Sequence, residues 1–354
     1  MFEVSIAEIN TILQDYSFSS VATHFTELQR YNYQKTDPNS KQVRLIIRVY
    51  LSDSTSVVIR FKNENDVTQA LMESQCQFAD LLRTNGVPSP LQYQSGNRFA
   101  NLYTIREYEV IVCVEEFVVG EIKLVDAGIA RKTGALLAQT HSIAQRYNAH
   151  VNNPVLFDPF QKNDLFFFDS FKTMAHSFQG ESYELSQNII SKYQEYMEVL
   201  SPLKHEPRYA VQGDISDCNL YQTPQGEIGL YDFNRCGDNN LYCDAVMQAI
   251  FEARLMDYPT SYGEDREAIL LSAFLDGYQS VRPFQPLHKK LLPYLYTIIT
   301  SFWGMDLVWS ENSLQKELER GNMQAVQTWL QIIWQRISNL PDAEALLHGD
   351  YKIP

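Results

Sequence analysis

The chain has 354 residues, 45% of them hydrophobic and 20% charged, with a net charge of −14. Such a length can bury a large core and predicts two domains, and the composition is that of an ordinary folded protein rather than a disordered one. The acidic balance argues against a nucleic-acid partner, because phosphate backbones need Lys and Arg. No apolar run approaches the roughly 20 residues of a membrane span, and the N-terminus lacks a basic and an apolar signal region. The five cysteines are odd in number and form no C-x-x-C pair. Reduced thiols, no zinc site, no membrane partner and a cytoplasmic location are therefore expected.

In chain order, residues 2–16 read as a short amphipathic helix with Phe2, Ile6, Ile9 and Leu13 on one face. Residues 43–50 and 57–61 read as β-strands separated by a polar turn, and the stretch 31–42 before them contains no Gly. Helical spacing of Leu71, Phe78, Leu81 and Leu82 predicts a helix over 66–84 that ends at Asn85-Gly86. Residues 103–108 and 110–114 read as two further strands, the second running into Glu115-Glu116-Phe117. Residues 128–147 read as a helix, and its His141 is better explained as a satisfied core residue than as a catalyst. The phenylalanines at 157, 160, 166, 167, 168 and 171 are expected to pack a loop and a short helix. Helices are expected over 188–200, 245–256, 267–278, 293–303 and 326–337, the last with an aromatic stripe typical of core.

The chemistry concentrates at Gln212-Gly213-Asp214-Ile215-Ser216-Asp217-Cys218-Asn219 and Leu230-Tyr231-Asp232-Phe233-Asn234. Between them, 219–222 and 228–231 read as a hairpin around Thr223-Pro224-Gln225-Gly226. Such a hairpin is expected to bring Asn219 and Asp232 together. Magnesium takes oxygen ligands, commonly one or two carboxylates plus phosphates and water, so Asn219 and Asp232 are its candidate ligands. Asp214 is then the candidate that orients an acceptor hydroxyl and takes its proton. Cys218 sits inside the motif at a variable position and reads as filler.

This pattern resembles the aminoglycoside phosphotransferase and choline kinase-like family of small-molecule kinases. The family's core motif is H-G-D-x-x-x-x-N followed by an apolar strand that ends in Asp. Here Gln212 stands where the family usually has His, and Asn234 where protein kinases have the Gly of D-F-G. Asp244 matches the Asp usual at the start of the next helix and reads as structural. The resemblance covers residues of order 25–300 and implies an α+β, two-lobed protein-kinase-like fold. The N-terminal lobe, 1–116, would carry an antiparallel sheet and bind nucleotide; the mainly helical lobe, 117–354, would carry catalysis and the acceptor.

The resemblance also implies the remaining site residues. Arg60 falls where a third strand carries a phosphate-binding Lys, with Lys62 as its competitor on the same strand face. Glu73 is the candidate helix acid to pair with Arg60, although Glu64 or Asp66 would serve from the loop. The backbone at Glu115, Glu116 and Phe117 is the expected hinge that bonds a nucleotide base. The string Gly277-Tyr278-x-x-x-Arg282-Pro283 also recurs in the family.

The implied activity moves the γ-phosphate of ATP or GTP, with Mg2+, to a hydroxyl of a small molecule. Residues 201–280 hold 13 acids against 5 bases. That suits a cationic acceptor such as an aminoglycoside-like compound or an amino alcohol. Two readings compete. A non-catalytic pseudokinase fits Gln212, Asn234 and the Gly-free loop, and the intact Asp214, Asn219 and Asp232 oppose it. A protein kinase is disfavoured because no A-P-E-like signature follows Asp232.

Overall fold

The computed structural model describes residues 1–161, 166–215 and 219–350. Cys218 and its neighbours 216–217 in the motif lie outside the described residues. The chain divides into two compact units. The first comprises Met1–Glu121, Ala149–Asn153 and Leu220–Cys236; the second comprises Ile122–Asn148, Pro154–Asn219 and Gly237–Pro354.

Alternating apolar residues build the first unit. Strands β1 (Ala22–Tyr31), β2 (Val43–Leu51), β3 (Ser56–Asn63), β4 (Asn101–Ile105) and β5 (Tyr108–Glu116) form an antiparallel sheet in the order β1-β2-β3-β5-β4. One face carries Leu45, Ile47, Val49, Val57, Ile59, Phe61, Val110, Val112 and Val114, buried against helix α1 (Ile6–Asp15). Ser5 and Glu8 start that helix through a capping box. Period-two alternation then sends Val58, Arg60 and Lys62 to the opposite face. There, register sets Arg60 against Ile46 of β2 and Cys113 of β5. Helix α2 (Gln69–Thr84) covers part of this face, packing Met72 and Cys76 on Ile111 and Cys113.

The β1 strand was not legible in the sequence. Its polar residues are mostly exposed at a sheet edge, where burial imposes no apolar pattern. The first unit runs on to Glu121 and takes in later segments of the chain as well. The hairpin β7 (Leu220–Gln222) and β8 (Ile228–Leu230) packs with the first unit. Gln222 N donates to Gly120 O at 2.8 Å and Leu230 N to Pro88 O at 2.9 Å.

In the second unit, α3 (Ala127–Tyr147), α4 (Phe168–Ala175) and α5 (Gly180–Val199) precede strand β6 (Arg208–Val211). Strand β6 pairs antiparallel with β9 (Gly237–Asn240), which leads directly into α6 (Leu241–Leu255). Asn240 caps that helix by accepting from the Tyr242 and Cys243 amides. Helices α7 (Arg266–Val281), α8 (Pro286–Ser301), α9 (Leu314–Glu319), α10 (Met323–Ser338) and α11 (Ala343–His348) follow. Helices α3 and α7 touch through glycine. A Cβ on Gly134 would stand 2.0 Å from Phe274 O, and one on Gly277 1.9 Å from Arg131 O. Among the described residues no helix is long and apolar enough to cross a membrane.

Phe157, Phe168 and Phe171 are buried, and Phe168 stacks on Tyr193 with centroids 3.6 Å apart. The phenylalanine-rich stretch is therefore largely core. It also borders an open cavity of about 590 Å³ with Trp309.

Candidate functional site

Within the first unit, the sheet holds Arg60 almost out of solvent, 7% exposed. Its guanidinium is anchored on one edge by Glu115 Oε1, with Nε at 2.9 Å and Nη2 at 2.8 Å. Gln92 Nε2 donates to the other carboxylate oxygen of Glu115 at 3.0 Å. On the opposite edge, Arg60 Nη1 lies 3.5 Å from Asp232 Oδ1, near enough to attract it. Among the described residues it makes no hydrogen bond of ordinary geometry, so this long ion pair is its one contact with an acceptor.

Asp232 itself sits in the left-handed region at φ 57, which is uncommon for a non-glycine residue and concentrates at functional sites. Its carboxylate accepts from the Asn234 amide at 3.2 Å. Burial opposes its charge, but the Arg60 and Lys62 cations outweigh that and hold it below the usual carboxylate range. Lys62 is 3% exposed and donates to Asn234 Oδ1. Burial, then repulsion from Arg60, pushes its ammonium down to about 8.

Asn234 connects the sheet to helix α2, since its carbonyl accepts from Gln75 Nε2 at 2.9 Å. Gln75 and Glu115 are site residues that sequence reasoning missed in these roles. Only tertiary register sets the Glu115 side chain beside Arg60.

Two expectations change here. Glu73 does not pair with Arg60: its Oε2 accepts from the Phe99 and Ala100 amides at 2.9 and 2.8 Å. It lies on a part of α2 turned toward the 99–100 backbone, while Glu115 reaches Arg60 directly across the sheet. The expected hinge backbone is also partly committed. Glu116 N donates to Leu91 O at 2.8 Å and Phe117 N to Ser56 O at 3.4 Å. Those two amides complete strand pairing, and Glu115 acts through its side chain.

Within the second unit, the loop after β6 is braced from several sides. Gln212, buried, accepts the Asp214 amide on Oε1 at 2.7 Å. Asn219 Nδ2 donates to Asp214 O at 2.7 Å, which leaves the Asn219 carbonyl oxygen turned away from that bond. Ile215 N donates to Gln248 Oε1 at 2.9 Å, and Gln248 Nε2 donates to Asp244 Oδ1 at 3.2 Å.

Asp244 Oδ2 in turn receives His141 Nε2 at 3.0 Å, and His141 Nδ1 faces the Tyr278 hydroxyl at 2.9 Å. Burial pushes the His141 imidazole down, so it is neutral, donating to Asp244 and accepting from Tyr278. His141 and Asp244 thus serve structure. Gln248, not legible as a site residue, is the link between them and the loop.

The antiparallel sheet with its buried base, the Asp232 loop and the helical second unit together define a protein-kinase-like fold, in the form shared with small-molecule kinases. An aminopropanol kinase associated with a microcompartment superposes with a TM-score of 0.56 at 15% identity, covering 98% of each chain. An amicoumacin kinase solved with AMP-PNP, Ca2+ and its antibiotic has a TM-score of 0.57 at 12% identity, covering 94% of this chain and 96% of its own. At these identities the likeness is one of fold. In sequence, an uncharacterized protein of Synechocystis sp. is 23% identical over 288 residues, 78% of this chain and 76% of that protein. No protein-family model matches the chain.

Proposed function

We propose that this protein is a small-molecule kinase that moves the γ-phosphate of a nucleoside triphosphate, ATP or GTP, to a hydroxyl. The observation that carries this reading is the Arg60–Asp232 pair. A buried guanidinium fixed by Glu115 keeps one donor, Nη1, held only by a long ion pair to a partly exposed carboxylate in a strained backbone position. A phosphate oxygen would fill that donor, and a divalent cation would suit the carboxylate. Two-proton recognition by arginine favours phosphate over solvent here.

The residues present fit a magnesium ion. Asp232 is held ionised, and the orientation of the Asn219 amide leaves a hard oxygen available. When bound, the ion would offset charge on the transferring phosphoryl group. Lys62 adds a second cation beside Arg60. Asp214 would orient the acceptor hydroxyl and take its proton; Gln212 and Asn219 hold its backbone, and Gln248 holds the amide of the next residue, Ile215.

The acceptor reading narrows. Of the acids downstream of Asp244, Glu252 is 1% exposed and Glu267 is bonded to Arg254 at 3.0 Å and to the Tyr296 hydroxyl at 2.7 Å. Neither is available to a substrate. Asp257, Glu264 and Asp265 are exposed and remain candidates for drawing in an aminoglycoside-like or amino-alcohol cation. If they do so, kcat/KM for a cationic acceptor falls as KCl rises, and charge reversal at these three acids raises KM more than it lowers kcat. Salt-independent kcat/KM removes the cationic preference.

The kinase reading is tested by calorimetry and by ADP release. ATP or GTP binding is expected to weaken with EDTA and in Asp232→Ala, and an alcohol panel with magnesium is expected to yield ADP with at least one acceptor. Equal nucleotide affinity with and without metal, together with silence across the panel, favours the non-catalytic reading.

A further inference from the structure

A cavity of about 540 Å³ opens in the second unit, and none of the residues assigned to phosphoryl transfer lines it. Its volume is in the range of small-molecule sites, which are usually aromatic with few polar groups. The walls follow that pattern. Tyr242 stacks on His288 with centroids 4.4 Å apart and planes at 7°, and Phe284 meets Tyr242 edge-on at 5.1 Å. Tyr278 closes the floor, tilted against Phe284 at 5.6 Å.

Which polar groups remain for a ligand follows from the hydrogen bonds already made. The Tyr242 hydroxyl donates to His288 O at 2.8 Å, and the Tyr278 hydroxyl is committed to His141. Both oxygens of Glu206 are taken, by His288 Nε2 at 2.8 Å and Asn240 Nδ2 at 2.9 Å. Burial opposes its charge, but those bonds, with the charge of Arg282, hold Glu206 below the usual carboxylate range.

Arg282 is different. It lies at the end of α7 in the cavity wall, bonds the Tyr278 hydroxyl and helps hold the nearby Glu206 ionised, but makes no direct ion pair with a carboxylate among the described residues. In a chain of net charge −14, an arginine in an aromatic cavity whose one nearby carboxylate, Glu206, has both oxygens bonded to other groups is a specific feature. A guanidinium bonds a planar carboxylate through two parallel N–H donors, and the adjacent rings favour a flat apolar body.

We propose that this cavity is a second binding site for a small planar monoanion, a carboxylate carried on an aromatic ring. The carboxylate pairs with Arg282 and the ring packs against Phe284 and the Tyr242–His288 stack.

The test is calorimetry on the full chain with benzoate and salicylate, with benzamide as the neutral analogue and acetate as the charge without the ring. Benzoate or salicylate is expected to bind saturably at about millimolar concentration or below, as suits so few atoms, with benzamide and acetate at least about tenfold weaker. Arg282→Gln is expected to lose about tenfold or more for the anions. Leu287→Trp, which keeps Arg282 and fills the cavity mouth, is expected to abolish binding. Asp214→Asn is expected to bind the anions normally, which separates this site from phosphoryl transfer. Binding of benzamide equal to benzoate, an unchanged affinity in a folded Arg282→Gln or Leu287→Trp variant, or no saturable binding up to about 10 mM overturns the proposal.

Discussion

Asp214→Asn is expected to lower turnover by about 10²–10⁴-fold, the span usual for a positioned general base. The substitution isolates the carboxylate. The Asp214 amide is held by Gln212 Oε1 and its carbonyl by Asn219 Nδ2, both through backbone atoms that the variant keeps. Asn also preserves the side-chain volume, so the loop should not move. Nucleotide affinity is expected to change little, because the proposed phosphate and metal contacts are Arg60, Asn219 and Asp232. The measurement is single-turnover phosphoryl transfer to an acceptor found in the ADP-release screen, beside calorimetry with nucleotide. Wild-type turnover in the variant removes Asp214 from the chemistry.

Glu252→Gln is expected to stabilise the protein, and increasingly so as pH rises. Glu252 lies on α6, 1% exposed, and among the described residues neither carboxylate oxygen has a well-formed hydrogen bond, the Thr133 hydroxyl being spent on the Ile129 carbonyl. Burial pushes its carboxyl up to about 8, against a small opposing pull from the Thr133 hydroxyl. The folded value therefore lies above the ordinary one near 4.5, and the folded state binds a proton that the unfolded chain gives up. Below about pH 4.5 both states are protonated and Glu252 costs nothing by this route. Between about 4.5 and 8 the cost grows with pH, and above about 8 it is constant. At pH 7 it amounts to about 3 kcal/mol, from 1.36 kcal/mol per pKa unit. The melting temperatures of wild type and variant should therefore converge near pH 4.5 and separate by several degrees near pH 8. A separation independent of pH would mean that Glu252 is not titrating in the folded protein.

The sequence by itself determined the elements with strong local signals. Alternating valine and isoleucine marked β2, β3 and β5, and helical spacing with a Gly-containing stop marked α2. Turn chemistry at Thr223–Gly226 marked the hairpin, where Gly226 adopts the positive φ of 81 that the turn requires. The expectation that His141 and Asp244 are structural rested on an apolar helix and a helix start, and each forms buried bonds of that kind.

Only the tertiary structure decided which side chains meet. The acid that fixes Arg60 comes from β5, 55 residues away, because sheet order places β5 beside β3. The resemblance pointed to Glu73, which bonds the amides of residues 99 and 100 instead. Gln248 reaches the Ile215 amide across 33 residues, and an amide side chain on a helix carries no mark of such a role. The acids after Asp244 looked like a charged lining, yet Glu252 and Glu267 are sealed between helices. Local propensity and periodicity are properties of neighbouring residues, so a sequence displays them. Strand order and helix packing join residues far apart in the chain, so partners such as Glu115 and Gln248 are fixed only when the core forms.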